Sequence, residues 1–290
     1  MPTATGTAEP GMKSRSFGRN TNRFSISYPM SGDCDPLARY ARWVLAPSLP
    51  KPPTRARTSY FICGVPRAGT WLLAGLLAST GIAGHPHEYF WRDAEKANWA
   101  HWSVTSFSEY LWRVKEVGTS GNGVFAAKLM WGYIADFLDK LRKLSGAEAT
   151  GDRALIEMFF PQPHFVFIWR EDGVAQAVSW AKAIQTGRWH HWDSPSPQVQ
   201  PRFDFDQIDA LANEAAKHDE AWRRWFAENG VEALHIRYED LVEDADGVTR
   251  KVLAFLGIAS PPGLVVTAQT ARVGNAQNRE WITRYMALRA

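Results

Sequence analysis

The chain has 290 residues, long enough for one large α/β domain or two small ones with a sizeable core. Its hydrophobic share of 45% is that of a soluble globular protein, and a net charge of +3 argues weakly for anionic ligands while excluding a dedicated nucleic-acid surface. Two cysteines, Cys34 and Cys63, supply neither a disulfide framework nor a metal-ligand cluster, and no apolar stretch of spanning length or signal-peptide core is present. A reducing cytoplasm is the expected location.

Residues 1 to about 55 are rich in Pro, Gly, Ser, Thr and Arg and poor in apolar periodicity, so they read as a flexible tail and lead-in. Within them Arg39 to Leu45 is a candidate short helix, and Lys51-Pro52-Pro53 marks the entrance to a folded domain over 56–290. Tyr60-Phe61-Ile62-Cys63 then reads as a buried strand. It runs into Gly64-Val65-Pro66-Arg67-Ala68-Gly69-Thr70-Trp71, a phosphate-loop frame with its kinase chemistry removed. A Walker A loop needs Lys and a hydroxyl after the second glycine. Here Thr70 and Trp71 stand in those places, and the cation has moved inside the loop to Arg67.

Leu72, Leu73, Leu76 and Leu77 share one face of the helix that follows, with Gly81 as its stop. Strand, glycine loop and helix start aim backbone N–H groups and the positive dipole end at one point, where an anion binds without magnesium. An ordinary strand-turn-helix is the plainer alternative.

Further strands are expected at Val124 to Met130, His164 to Trp169 and Val231 to Tyr238, with amphipathic helices near 133–144, 172–186, 207–229 and 246–256. That alternation predicts an α/β, P-loop-like three-layer fold with a mainly parallel central sheet and helices on both faces. The aromatic stretch 89–122, with Trp91, Trp99, Trp102 and Trp112, reads as an irregular lid or acceptor wall. Residues 188–205 read as a second mobile loop. Trp91, Trp99, Trp102 and Trp189 are candidate platforms for sugar rings.

The strand Phe165 to Trp169 ends on Arg170, and Asp172 is placed to cap a helix whose Val174, Ala177, Val178 and Ala181 face the core. Arg170 and Ser179 lie at the sheet edge where ligands of open α/β folds gather. A pairing of Arg170 with Glu171 or Asp172 is the structural alternative.

Together these segments resemble PAPS-dependent sulfotransferases. In that family a loop written P-[KR]-[SA]-G-[ST] grips the 5′-phosphosulfate of PAPS (3′-phosphoadenosine 5′-phosphosulfate). Arg67, Ala68, Gly69, Thr70 and Trp71 occupy that loop here. An Arg followed by a Ser, matched by Arg170 and Ser179, grips the 3′-phosphate. Tyr238-Glu239-Asp240 resembles the segment whose tyrosine lies near the adenine. The likeness is closer to the bacterial Stf0-type enzymes, whose known example sulfates trehalose. It rests on Gly81 to Phe90, on Lys128-Leu129-Met130-Trp131, on Gln176-Ala177-Val178-Ser179, on Ala183 to Thr186 and on Trp222 to Phe226.

The resemblance implies sulfuryl transfer from PAPS to a hydroxyl on a sugar, glycolipid or glycosylated natural product, with PAP released and no metal used. Glu88 matches the proposed general base, and burial by Tyr89, Phe90 and Trp91 is expected to raise its pKa. Lys128 and Arg67 are the expected stabilisers of developing charge. Met130 stands where many animal and plant sulfotransferases carry a catalytic His, His85 and His87 are rival bases, and a structural salt bridge is the plainer role for Glu88. Arg272 is a loose candidate phosphate contact. Relatives suggest a homodimer, while 89–122 departs from the trehalose enzyme. A nucleotide kinase and a non-catalytic nucleotide-binding protein of the same fold are the competing readings.

Overall fold

The computed structural model describes residues 55–189, 199–267 and 276–290. The tail, the candidate helix at Arg39 to Leu45, Cys34, residues 190–198 of the 188–205 loop and Arg272 lie outside them. Four strands form one parallel sheet: β1 (Thr58–Gly64), β2 (Val124–Met130), β3 (Pro163–Trp169) and β4 (Leu234–Arg237), in the order β2-β1-β3-β4. Chain order reverses on either side of β1, so the loop leaving β1 opens at the topological switch point, where open α/β sheets bind ligands.

Strand alternation divides the core into two layers. Phe61, Cys63, Phe125, Ala127, Leu129, Phe165 and Phe167 point to one side, and Tyr60, Ile62, Val124, Ala126, Val166 and Ile168 to the other. The second side is covered by α1 (Thr70–Ser79) and by α9 (Ala245–Phe255), which follows the short α8 (Tyr238–Glu243). The first is covered by α3 (Phe107–Gly118), α4 (Trp131–Ser145), α5 (Asp152–Phe159) and the last turns of α7 (Phe205–Glu228). The expected three-layer arrangement is therefore present.

Phe61 is the hub of the first layer, in ring contact with Phe125, Phe137, Phe160 and Phe165 at 5.1–6.4 Å. Truncating such a residue costs about 3–5 kcal/mol.

A third cluster lies beyond the carboxyl edge of the sheet. There α6 (Gly173–Thr186) packs on the first turns of α7 and on α10 (Ala276–Arg289) around Val65, Trp180, Trp281 and Tyr285. Asp172 caps α6 as expected, its Oδ1 accepting from the Ala175 amide at 2.8 Å.

Two expectations need correction. The stretch 89–122 is not irregular: it holds α2 (Arg92–Trp102) and α3. Trp99 and Trp102 lie against Tyr110 at 5.8 and 5.5 Å and pack, partly buried, on the first core layer. The last strand is only four residues long, and Tyr238 opens α8. The helices α5 and α10 have no counterpart in the sequence reading.

Candidate active site

The loop after β1 turns through two left-handed residues, Arg67 (φ 66°) and Gly69 (φ 97°). Gly69 is required twice over. Its backbone disfavours a side chain, and a Cβ there would lie 2.5 Å from Tyr238 Cδ2. It also N-caps α1 without a side-chain cap, and no acidic residue sits in the first turn. The leading amides of α1 therefore face the loop with the helix dipole behind them.

Arg67 reaches across the switch point. Its Nε donates to Ser179 Oγ at 3.0 Å and its Nη1 to the Trp189 carbonyl at 2.5 Å. The loop after β1 and the segment that follows β3 thus share a hydrogen bond between residues 112 apart in sequence. Trp189 meets the loop through its main chain, while its side chain packs on the α6–α7 cluster.

Tyr238 links the same two segments from the other side. Besides touching Gly69, its ring lies 4.6 Å beneath the Arg170 guanidinium. Arg170 pairs at 4.0 Å with Glu239, and not with Glu171 or Asp172 as the plainer sequence reading had it. Its Nε is buried and has no hydrogen-bond partner among the described residues. The Glu239 carboxylate also accepts from the amides of Glu171 and Asp172 at 3.2 and 3.4 Å, while Arg237 holds Glu171 and Asp240.

Opposite the loop, the segment after α1 returns alongside β2. Gly84 has φ 67°, and a Cβ would lie 2.8 Å from the Val124 carbonyl, so only glycine permits this approach. A parallel bridge joins His87 to Ala127, with the Lys128 amide donating to the His87 carbonyl at 2.8 Å. That register sets Glu88 beside Lys128. Lys128 Nζ lies 2.8 Å from Glu88 Oε1 and 3.8 Å from the centroid of the Trp71 ring.

Lys128 is fully buried. A buried ammonium needs partners, and the Glu88 carboxylate and the Trp71 face supply them. Burial pulls Lys128 down to about 8, Glu88 pulling it back up and Arg67 pushing it further down. Lys128 comes from β2, so the neighbouring strand brings an ammonium beside a loop that has no lysine of its own.

Tyr89 and Phe90, which follow Glu88, are both core residues, and Tyr110 donates to the Tyr89 carbonyl. The Glu88 side chain keeps 18% of its exposure and engages only Oε1 among the described residues. Of its rivals, His85 is held low by burial, and His87 sits edge-on to Trp71 and Tyr89 at 5.6 and 5.7 Å. Met130 is buried at the start of α4.

Two side chains that sequence reasoning gave no role also touch the loop. Gln176 Nε2 donates to the Pro66 carbonyl at 2.9 Å, and Trp222 Nε1 to the Gly64 carbonyl at 3.0 Å. Neither bond has a local signal, because the acceptors are main-chain atoms.

The Stf0 sulphotransferase family matches residues 59–287. The chain belongs to that family. It is 28% identical to a trehalose 2-sulfotransferase of Mycobacterium tuberculosis, covering 81% of this chain and 96% of the relative. It is 27% identical to a trehalose 2-sulfotransferase of Mycolicibacterium smegmatis, covering 79% and 94%. Among solved structures, a sulfotransferase from Alicyclobacillus acidocaldarius matches with a TM-score of 0.47 at 16% identity, covering 80% of this chain and 92% of that one. No described helix of this Stf0 member is long and apolar enough to cross a membrane.

Proposed function

We propose that this Stf0 sulfotransferase moves the sulfuryl group of PAPS to a hydroxyl of a sugar-containing acceptor, with Glu88 as general base. The observation that carries this reading is the cluster at the switch point. Arg67, bonded to Ser179, faces the same edge as the buried Lys128–Glu88 pair. The names of the two mycobacterial relatives support a sugar as acceptor.

The residues fit a donor with two anionic ends. Arg67 and the amides of Gly69, Thr70 and Trp71 hold the 5′-phosphosulfate end, and Arg170 with Ser179 holds the 3′-phosphate. Arg170 carries a buried Nε in need of an acceptor, which is the chemistry of a phosphate contact. Tyr238, between Gly69 and Arg170, flanks the nucleoside.

The reaction is an in-line displacement. The acceptor oxygen forms a bond to sulfur as the bond from sulfur to the bridging phosphate oxygen breaks. Charge spreads over the sulfuryl oxygens and gathers on the leaving phosphate. Lys128 holds Glu88 Oε1, which directs Oε2 to the acceptor hydroxyl, and the proton ends on that carboxylate. The Lys128 ammonium and Arg67 guanidinium meet the charge that develops on the transferring and leaving oxygens. Products are a sulfate ester and PAP.

The test is transfer of labelled sulfate from PAPS to a panel of sugars and glycolipids by the wild type and by Glu88→Gln. The variant is expected to keep PAP affinity within about threefold and to lose about 10²–10⁴-fold in turnover. Near-normal turnover by Glu88→Gln rules out Glu88 as the base. Absence of labelled product from every acceptor contradicts the sugar reading.

A further inference from the structure

We propose that Gln176 is a positioning residue that locks the phosphate loop in its anion-binding form, an inference that rests on the PAPS reading above. Gln176 is 1% exposed, and its carboxamide donates to the Pro66 carbonyl across 110 residues. None of the described peptides is cis. In a trans peptide the C=O and N–H point in opposite directions. Holding the Pro66 oxygen toward α6 therefore turns the Arg67 N–H to the opposite side of the loop.

That orientation has a cost. Arg67 is left-handed at φ 66°, a conformation that strains a residue with a side chain. Surrounding contacts must over-determine it. Three do so. Gln176 fixes the peptide before Arg67, Ser179 and the Trp189 carbonyl fix its side chain, and Trp222 fixes the Gly64 carbonyl at the start of the turn. Left-handed residues at 67 and 69 suit a nest of main-chain N–H groups, an anion-binding concavity.

Without the Gln176 bond the Pro66–Arg67 peptide is free to rotate and relieve the strain. Rotation presents a carbonyl oxygen to the 5′-phosphosulfate in place of an N–H. Gln176 touches no reacting atom; it acts through the loop. It sits on α6 one turn before Ser179, so a single helix carries a side chain for the 3′-phosphate and the lock for the 5′ end.

The experiment is calorimetric titration of wild type, Gln176→Met and Gln176→Asn with PAP and with adenosine 3′-phosphate, which lacks the 5′ group. Met removes the donor at nearly the same length, and Asn keeps a donor that falls short of Pro66. Both variants are expected to lose about tenfold or more for PAP and less than about twofold for adenosine 3′-phosphate, with melting temperatures within a few degrees of wild type. Equal losses for both ligands, or no loss for either, overturn the lock. Failure of the wild type to bind PAP contradicts the donor reading instead, so the two failures are distinguishable.

Discussion

Lys128 Nζ lies 2.8 Å from Glu88 Oε1, and the lysine is fully buried while the glutamate keeps an exposed edge. The asymmetry suits a pair in which one partner stays charged beneath the reacting group and the other faces the acceptor. It also carries a pH dependence.

Lys128 titrates near 8, because burial outweighs the pull of Glu88. Below that pH it is an ammonium and can meet developing charge; above it the charge is lost. The kcat/KM for the donor, which reports the free enzyme, is therefore expected to fall about tenfold per pH unit above about 8. A flat profile from pH 7 to 10 contradicts an electrostatic role for Lys128.

Arg170 is proposed to meet only the 3′ end of the donor. Arg170→Ala is expected to weaken PAP by about 10–100-fold, the range of a hydrogen bond to a charged group. Adenosine 5′-phosphosulfate, which lacks the 3′-phosphate, is expected to bind within about twofold of wild type. Parallel titrations of the two ligands check this, and equal losses would place Arg170 elsewhere in the site.

Asp219 concerns stability. It is 8% exposed on α7, its Oδ1 has no hydrogen-bond partner among the described residues, and burial pushes it up to about 7 against the pull of Arg223. Between the ordinary aspartate value and about 7 the native state therefore holds more protons than the unfolded chain. Stability falls as pH rises through that window, by at most about 4 kcal/mol. Asp219→Asn is expected to melt several degrees above wild type at pH 8 and close to it at pH 4. Thermal scans at the two pH values decide this; a variant less stable than wild type at pH 8 contradicts it.

The sheet and the loop were legible because each rests on local pattern. The apolar run before Gly64 and the two glycines at 64 and 69 place themselves, and Asp172 announces α6. The helices in 89–122 were missed although Ser106 and Glu109 have the spacing of a capping box, and Ser106 does cap α3. Four tryptophans in that stretch drew the reading toward a cleft, and two of them pack, partly buried, around Tyr110. Glu88 and Lys128 were each readable from motifs. Their contact was not, because it depends on a single bridge between His87 and Ala127.

The most direct test of PAPS as donor is calorimetric binding of PAP, compared with ADP and ATP in EDTA and then in Mg²⁺. Tight, metal-independent binding selective for PAP is expected, with Arg67, Lys128 and Arg170 proposed to supply the charges that a metal would otherwise bring. A Mg²⁺-dependent preference for ATP would contradict PAPS as donor and restore the kinase reading.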